Sequence, residues 1–185
     1  MNGLACDMDE FWVFGYGSLM WNPGFAFAEK SPARAFGFRR SLCVWSHVHR
    51  GTPDHPGLVL GLDRGGSCRG VAFRVEPQNR DDALDYLRRR ELVTNVYRER
   101  VLPVTLDKGQ RIKAIGYVVD RDHLQYAGAL SVEEAAAIVG RSLGQSGPNN
   151  AYVFNTIAHL KQMGIRDPWL EAVGSAVAEE LQAAG

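Results

Sequence analysis

The sequence predicts an α+β fold, in which a small mixed β-barrel of about six or seven strands is flanked by helices. Short β-branched and aromatic runs fill roughly the first 120 residues, and helical periodicity dominates the last third. Strands and helices do not alternate strictly, which argues against a doubly wound sheet. A chain of 185 residues suffices for one domain with a buried core. We therefore expect a single domain over residues 1–185, with a barrel core at about 11–120 and a helical part at about 131–184.

The predicted strands are runs rich in β-branched and aromatic residues bounded by turn residues. They cover residues 11–14, 34–48, 58–62, 71–75, 97–106 and 111–119. Asp-Arg-Gly-Gly at 63–66 separates two of these runs and predicts a hairpin turn. This turn contributes to the expected count of six or seven strands.

Three sequence signals mark where helices begin. Asn79 can cap a helix that has Asp81 and Asp82 in its first turn, where carboxylates suit the helix dipole. Residues 131–134 form a capping box ahead of an alanine-rich run. Pro168 suits the first position of the last helix.

Charge and hydropathy exclude several classes of function. Lys plus Arg and Asp plus Glu both total 21, so the formal net charge is zero. A chain without a basic surplus is a poor candidate for binding nucleic acid or an anionic membrane surface. No run approaches the roughly 18 apolar residues of a membrane span, and the first ten residues lack the features of a signal peptide. We expect no nucleic-acid or membrane partner, and the sequence assigns no oligomeric state.

The cysteines and histidines do not suggest a metal centre. Cys6, Cys43 and Cys68 are odd in number and form no C-x-x-C pair, so we expect reduced thiols in a cytoplasmic protein. His47 and His49 could ligate a metal with His55 or Cys43, which is the basis of one alternative, a metal-dependent hydrolase. No further ligand pair stands at suitable spacing, and we expect no metal and no cofactor.

Glu91 is out of place on the helix that follows Asn79. On a helical wheel it lies between Leu84 and Leu87, within the apolar stripe, whereas Arg89 and Arg90 point elsewhere. A buried carboxyl has a raised pKa and can exchange protons near neutral pH, so Glu91 is a candidate general acid and base. The alternative is that Glu91 swings to solvent at the helix end, or pairs with Arg88.

A glycine-containing turn follows the first predicted strand. Its residues are Gly15, Tyr16, Gly17, Ser18, Leu19 and Met20. Two glycines one residue apart allow successive N–H groups to face a carboxylate or an oxyanion. Met20 stands where a dinucleotide fingerprint requires its third glycine, which excludes that motif. The alternative is an ordinary turn at a strand end.

Together these motifs resemble a known family. The matching segments, over about residues 11–160 and in the same order, are 13–25, 37–40, 49–51 with 56–57, 70–73, 86–91 and 146–152. The chain resembles the ChaC family of γ-glutamylcyclotransferases. Two departures, Asn95-Val96 where the family often has two glycines and Ala151 where it often has Glu, leave the choice among γ-glutamyl substrates open.

The resemblance implies a small mixed barrel with flanking helices and cleavage of glutathione to 5-oxoproline and cysteinylglycine. It implies that Glu91 is catalytic and that the Gly15 to Met20 turn binds substrate. Further expected substrate-binding residues are Arg39, Tyr97, Asn149 and Tyr152. The reaction requires no metal, nucleotide or covalent nucleophile. Two alternatives remain beside the metal-dependent hydrolase, namely a cyclotransferase for γ-glutamyl amino acids or γ-glutamylamines, and a non-catalytic barrel that binds a small acid.

Overall fold

The computed structural model of the protein describes residues 10–183. The chain divides into two compact units. The first contains the described residues up to Arg39 together with Arg64–Val118, and the second contains Arg40–Asp63 and the described residues from Val119 onward. The expectation of one domain over the whole chain stays a prediction.

Within residues 10–183, five strands form a closed mixed barrel, which is the type of fold that the sequence predicts. They are β1 (Phe11–Gly15), β2 (Glu29–Ser46), β3 (Gly57–Val75), β4 (Tyr97–Leu106) and β5 (Arg111–Val119). The order is β1–β3–β2–β4–β5, with a further pairing of β3 and β5. Strand β1 is antiparallel to β3, with Phe11 opposite Val75, and parallel to β5, with Trp12 opposite Ala114. The barrel therefore has fewer strands than the predicted six or seven.

The shortfall arises at residues 63–66, where the predicted hairpin turn is wrong. The chain instead continues as one strand, β3, through the whole of Gly57–Val75. Gly65 and Gly66 adopt φ values of +103° and +71° within this strand. Glycines that permit a turn also permit a bulge or bend in a long strand, so composition alone does not separate the two outcomes.

In the first unit, helix α1 (Arg80–Glu91) packs on the barrel. Asn79 occupies the N-cap position and Asp81 and Asp82 lie in the first turn, as predicted, but the Asn79 side chain makes no capping hydrogen bond. The helix contributes to a buried cluster whose members are Val13, Leu19, Val75, Ala83, Leu87 and Tyr117. Each fully buried Val or Leu side chain stabilises the fold by about 1.5–3 kcal/mol. Since Leu19 and Leu87 share this cluster, the end of α1 is held beside the segment that follows β1.

In the described residues of the second unit there are three helices and one pair of two-residue strands. The helices are α2 (Val132–Arg141), α3 (Asn149–Gln162) and α4 (Pro168–Ala183), and β6 (Leu143–Gly144) pairs with β7 (Gly147–Pro148). The predicted capping box is present, because Ser131 and Glu134 exchange both hydrogen bonds.

A buried carboxylate in the second unit, Asp63, accepts hydrogen bonds from Arg121 at 2.7 Å and from Tyr126 at 3.0 Å.

The cysteines within the described residues are free thiols, as predicted. Cys43 and Cys68 are both buried, and Cys6 lies outside the described residues. In residues 10–183 no helix combines the length and the apolar character needed to cross a membrane.

Candidate active site

Glu91 is the last residue of α1, and its side chain is 18% exposed. The wheel therefore predicts its partial burial correctly, and the alternative in which it swings into solvent is wrong. Its Oε1 lies 3.4 Å from Nε of Arg90. Leu87, one turn earlier on the same face, is fully buried. The carboxyl is thus held at the edge of the apolar core, with one cation beside it.

This placement perturbs the proton affinity of Glu91. Burial raises the pKa of the Glu91 carboxyl, because the ionised form loses hydration. The positive charge of Arg90 acts in the opposite direction and is the smaller effect. A carboxyl with a raised pKa accepts and returns a proton near neutral pH more readily than an exposed one.

The arginines around Glu91 differ from the sequence expectation. Arg88, the alternative partner suggested by the wheel, instead forms a two-pronged pair with Glu99 at 2.8 and 3.0 Å. Arg90, expected to point elsewhere, faces Glu91. An arginine side chain is long enough to turn back across its own helix, so the wheel angle of its Cα did not predict its contacts.

The Gly15 to Met20 turn leads from β1 into a short 3₁₀ helix, Ser18–Met20. The N–H of Met20 donates to the carbonyl of Gly17 at 2.9 Å. The N–H groups of Ser18 and Leu19 come before the first bond of this helix and have no partner within it. A Cβ at Gly15 would lie 3.1 Å from Cβ of Leu19, so glycine suits the close approach there. Leu19 is buried whereas Ser18 is exposed.

Arg90 also connects this turn to α1. Its Nη2 donates to Oγ of Ser18 at 2.8 Å, and its Nη1 donates to the carbonyl of Asn22 at 2.7 Å. The same Nη1 lies 3.1 Å from the hydroxyl of Tyr86, one turn earlier on α1. Glu91 and the turn are therefore brought together by one guanidinium. Arg90 and Tyr86 are the residues of this arrangement that the sequence reasoning missed.

Two tyrosines of the first unit, Tyr97 and Tyr117, belong to or pack against the same apolar cluster. Tyr97, at the start of β4, packs against the cluster that contains Leu19 and Leu87. Tyr117, on β5, is fully buried and donates its hydroxyl to Glu99 at 3.1 Å. Burial raises the pKa of Tyr117 well above its ordinary value, and the nearby carboxylates Glu99 and Glu91 add to the shift. Tyr117 is therefore a neutral hydrogen-bond donor at any physiological pH.

The remaining predicted site residues make structural contacts. Arg39, in the first unit, donates to the carbonyl of Arg64 at 3.0 Å. Asn149, in the second unit, is fully buried, and its amide bonds both the N–H and the carbonyl of Leu58, at 2.7 and 2.8 Å. Tyr152, also in the second unit, accepts a hydrogen bond from the N–H of Leu60 at 3.1 Å. Their contact with substrate stays a prediction.

The histidines of the metal alternative lie in the second unit. Nδ1 of His49 lies 2.9 Å from Oγ of Ser146, in the loop between β6 and β7. Within residues 10–183, no group of three or more His, Cys, Asp and Glu side chains is arranged to hold a metal ion.

Comparison with known proteins gives the family. The model of the ChaC-like protein family matches residues 11–180, which is most of the chain. The chain belongs to the ChaC-like family. The resemblance read from the motifs is thereby confirmed.

Relatives of this ChaC-like chain carry enzyme names. It is 34% identical to the glutathione-specific γ-glutamylcyclotransferase of Escherichia coli K12, over 90% of this chain and 73% of that protein. It is 35% identical to γ-glutamylcyclotransferase 2-3 of Arabidopsis thaliana, over 84% of this chain and 82% of that protein. The crystal structure of a glutathione-specific γ-glutamyl cyclotransferase from yeast superposes with a TM-score of 0.82 at 24% identity, covering 92% and 96% of the two chains. This last match confirms the fold.

One departure from the ChaC family pattern has a structural counterpart. Asn95, which stands where the family often has glycine, adopts φ +58°. Its N–H donates to the carbonyl of Leu92 at 3.3 Å. Asn tolerates the left-handed conformation better than other residues with a side chain. The segment after Glu91 therefore makes its turn without the glycine.

Proposed function

We propose that this protein is a γ-glutamylcyclotransferase that cleaves glutathione to 5-oxoproline and cysteinylglycine. The observation that carries the proposal is the half-buried carboxyl of Glu91, tied through Arg90 to the Gly15 to Met20 turn. The names of both ChaC-like relatives support the same activity, and the name of the Escherichia coli relative also supports glutathione as the substrate.

The substrate supplies its own nucleophile in this reaction. The α-amine of the γ-glutamyl group attacks the γ-carbonyl and forms a five-membered lactam, while the bond to the nitrogen of cysteinylglycine breaks. No water is consumed. The enzyme must hold the γ-glutamyl chain folded back on itself, and such orientation lowers the barrier by several kcal/mol.

Glu91 carries the protons in this mechanism. Its carboxylate takes a proton from the α-ammonium, which makes the amine nucleophilic. The resulting carboxylic acid gives that proton to the nitrogen of cysteinylglycine as the C–N bond breaks. The second proton, which the attacking nitrogen loses as it becomes the lactam N–H, passes through the regenerated carboxylate to the released amine. One group can perform both transfers when its pKa lies near the working pH, and burial moves the pKa of Glu91 in that direction.

The Gly15 to Met20 turn binds the γ-glutamyl group in this proposal. The N–H groups of Gly17, Ser18 and Leu19 are suited to its α-carboxylate or to the oxyanion that develops on the γ-carbonyl. Tyr97 packs on the same apolar cluster as Leu19 and is assigned to the wall of the substrate site. A cytoplasmic location completes the proposal, because thiols such as Cys43 and Cys68 remain reduced there.

The test is a product assay on the purified protein with reduced glutathione and no added metal. We expect 5-oxoproline and cysteinylglycine in equal amounts, and loss of both products in Glu91→Gln. Glu179→Gln, at an exposed position of α4, is the matched control and should retain activity.

The other outcomes discriminate among the alternatives. Product from γ-glutamyl-alanine or a γ-glutamylamine but none from glutathione would reassign the substrate and keep the mechanism. An active Glu91→Gln variant would refute the role of Glu91. Binding without turnover for every γ-glutamyl compound would favour a non-catalytic binding protein.

A further inference from the structure

Arg90 uses its whole guanidinium group. Nη2 bonds Ser18, Nη1 bonds the carbonyl of Asn22 and the Tyr86 hydroxyl, and Nε faces Glu91. A guanidinium is planar and rigid, so groups bound to its different nitrogens are fixed with respect to one another. The side chain is 22% exposed, which limits competition from water.

We propose that Arg90 is a positioning residue, which fixes the Glu91 carboxyl with respect to the Gly15 to Met20 turn. This inference rests on the proposed function. Arg90 contacts Ser18, the first residue of the 3₁₀ helix Ser18–Met20, and also Asn22, two residues beyond the end of that helix. Movement of Arg90 would therefore displace the base and the binding turn together.

A second contact holds the same segment from the other side. Gly24 adopts φ +74°, and a Cβ there would overlap the hydroxyl of Tyr86. Tyr86 in turn shares Nη1 of Arg90. The chain from Ser18 to Gly24 is thus held against α1 at successive points, and Arg90 is the member of this set that also reaches the catalytic carboxyl.

The charges around Glu91 make Arg90 an electrostatic partner as well. On its own helix Glu91 lies beside Arg90, and the Glu91 charge contributes to the raised pKa of Tyr117 on β5. The Tyr117 hydroxyl is bonded to Glu99, whose charge is balanced by Arg88. Arg90 therefore supplies the positive charge that opposes the effect of burial on Glu91. A base that must start as a carboxylate needs such a partner.

The experiment compares the wild type with Arg90→Gln, Arg90→Lys and the control Arg89→Gln, measuring kcat and KM for glutathione over a range of pH. Arg89 is exposed and adjoins Arg90. For Arg90→Gln we expect kcat/KM to fall on the order of 100-fold, which is the size of effect that a 1 Å misplacement produces. The acidic limb of its kcat/KM profile should move to higher pH, because Glu91 loses the neighbouring cation.

Arg90→Lys separates geometry from charge. Lysine keeps the positive charge but lacks the planar guanidinium that contacts Ser18, Asn22, Tyr86 and Glu91 at once. We expect kcat/KM to fall while the acidic limb stays near that of the wild type. This variant also keeps the test decisive if Arg90→Gln does not fold. Unchanged kcat/KM in both variants relative to Arg89→Gln would overturn the proposal.

A carbon-13 NMR titration of the Glu91 carboxyl distinguishes a failure of this inference from a failure of the proposed function. An increase in the Glu91 pKa in Arg90→Gln supports the coupling of the two residues whether or not turnover is seen. When the wild type is active, an unchanged Glu91 pKa together with an unchanged kcat/KM in Arg90→Gln overturns the role of Arg90 alone. A wild-type protein inactive on every γ-glutamyl compound overturns the proposed function, and the positioning role with it.

Discussion

The hydroxyl of Tyr86 occupies the space in which a side chain at Gly24 would begin. Tyr86 lies on α1 and Gly24 lies in the loop that follows the Gly15 to Met20 turn. The loop can approach α1 this closely because residue 24 has no side chain and adopts a positive φ. The close approach leaves Asn22, two residues earlier, within reach of Arg90.

We expect Gly24→Ala to lower kcat/KM for glutathione and to reduce the free energy of unfolding. The methyl group adds an overlap with Tyr86 to the strain of about 1–2 kcal/mol for alanine at positive φ. Gly37→Ala is the matched control, because Gly37 has φ +82° and open space around its Cβ position. It should show the backbone strain alone. Equal losses of stability and activity in the two variants would contradict the packing argument.

Glu91→Gln should raise stability at neutral pH while abolishing turnover. Burial raises the pKa of Glu91 in the folded protein, so its ionised form opposes folding once the pH exceeds that pKa. Below the ordinary Glu pKa of about 4.3 the carboxyl is protonated in both states, and the difference between the two proteins should vanish. Thermal unfolding from pH 4 to 8 measures this. A variant less stable than the wild type at pH 8 would contradict the prediction.

Glu99→Ala should destabilise the fold by about 1–3 kcal/mol, because it leaves the buried Tyr117 hydroxyl without its acceptor. Denaturant unfolding measures the loss. Adding Tyr117→Phe should recover part of it, and no recovery in the double variant would show that the Tyr117 hydroxyl is not the cause.

The contribution of Glu99 should also depend on pH. The hydrogen bonds from Arg88 hold the pKa of Glu99 below its ordinary value. The stabilisation is therefore present above the ordinary Glu pKa and is lost as the pH falls through the lowered one. The difference in the free energy of unfolding between the wild type and Glu99→Ala should therefore become smaller at acidic pH.

Asn149→Ala should reduce the free energy of unfolding substantially, while the kcat of the protein that remains folded should change little. The buried amide of Asn149 bonds both backbone groups of Leu58, and alanine would leave both without these partners, at about 1–3 kcal/mol for each unsatisfied group. Asn150→Ala is the adjacent control. Unfolding curves, together with steady-state kinetics of the folded protein over a range of glutathione concentrations, separate the two effects. A large rise in KM with normal stability would instead support the predicted contact with substrate.

Local sequence signals predicted much of the fold. The capping box at Ser131 and Glu134, the N-cap at Asn79 and the bounds of β4 and β5 each depend on residues that are neighbours in the chain. The hairpin predicted at 63–66 failed because two glycines permit a bend within a strand as readily as a turn between strands. Barrel closure, which decides between these outcomes, involves residues distant in sequence.

The candidate site was predictable where it depends on helical periodicity, but the partners of its long side chains were not. The partial burial of Glu91 follows from helical periodicity, and its catalytic role, which the motif resemblance implies, stays a prediction. The partners of Arg88 and Arg90 did not follow from helical periodicity, since Arg88 reaches Glu99, 11 positions away, and Arg90 reaches Ser18, 72 positions away. Asn149 was predicted from its motif to bind substrate, whereas the structure uses its amide on the backbone of Leu58.

The burial of Cys43 and Cys68 has a consequence for the proposed reaction, whose substrate is a thiol. Glutathione in its oxidised form exchanges with accessible protein thiolates to give mixed disulfides, and the rate depends on exposure of the thiolate. Both cysteines are at most 2% exposed. Oxidised glutathione should therefore form no mixed disulfide with Cys43 or Cys68 in the folded protein. A change in the ratio of oxidised to reduced glutathione should not alter activity through these two thiols.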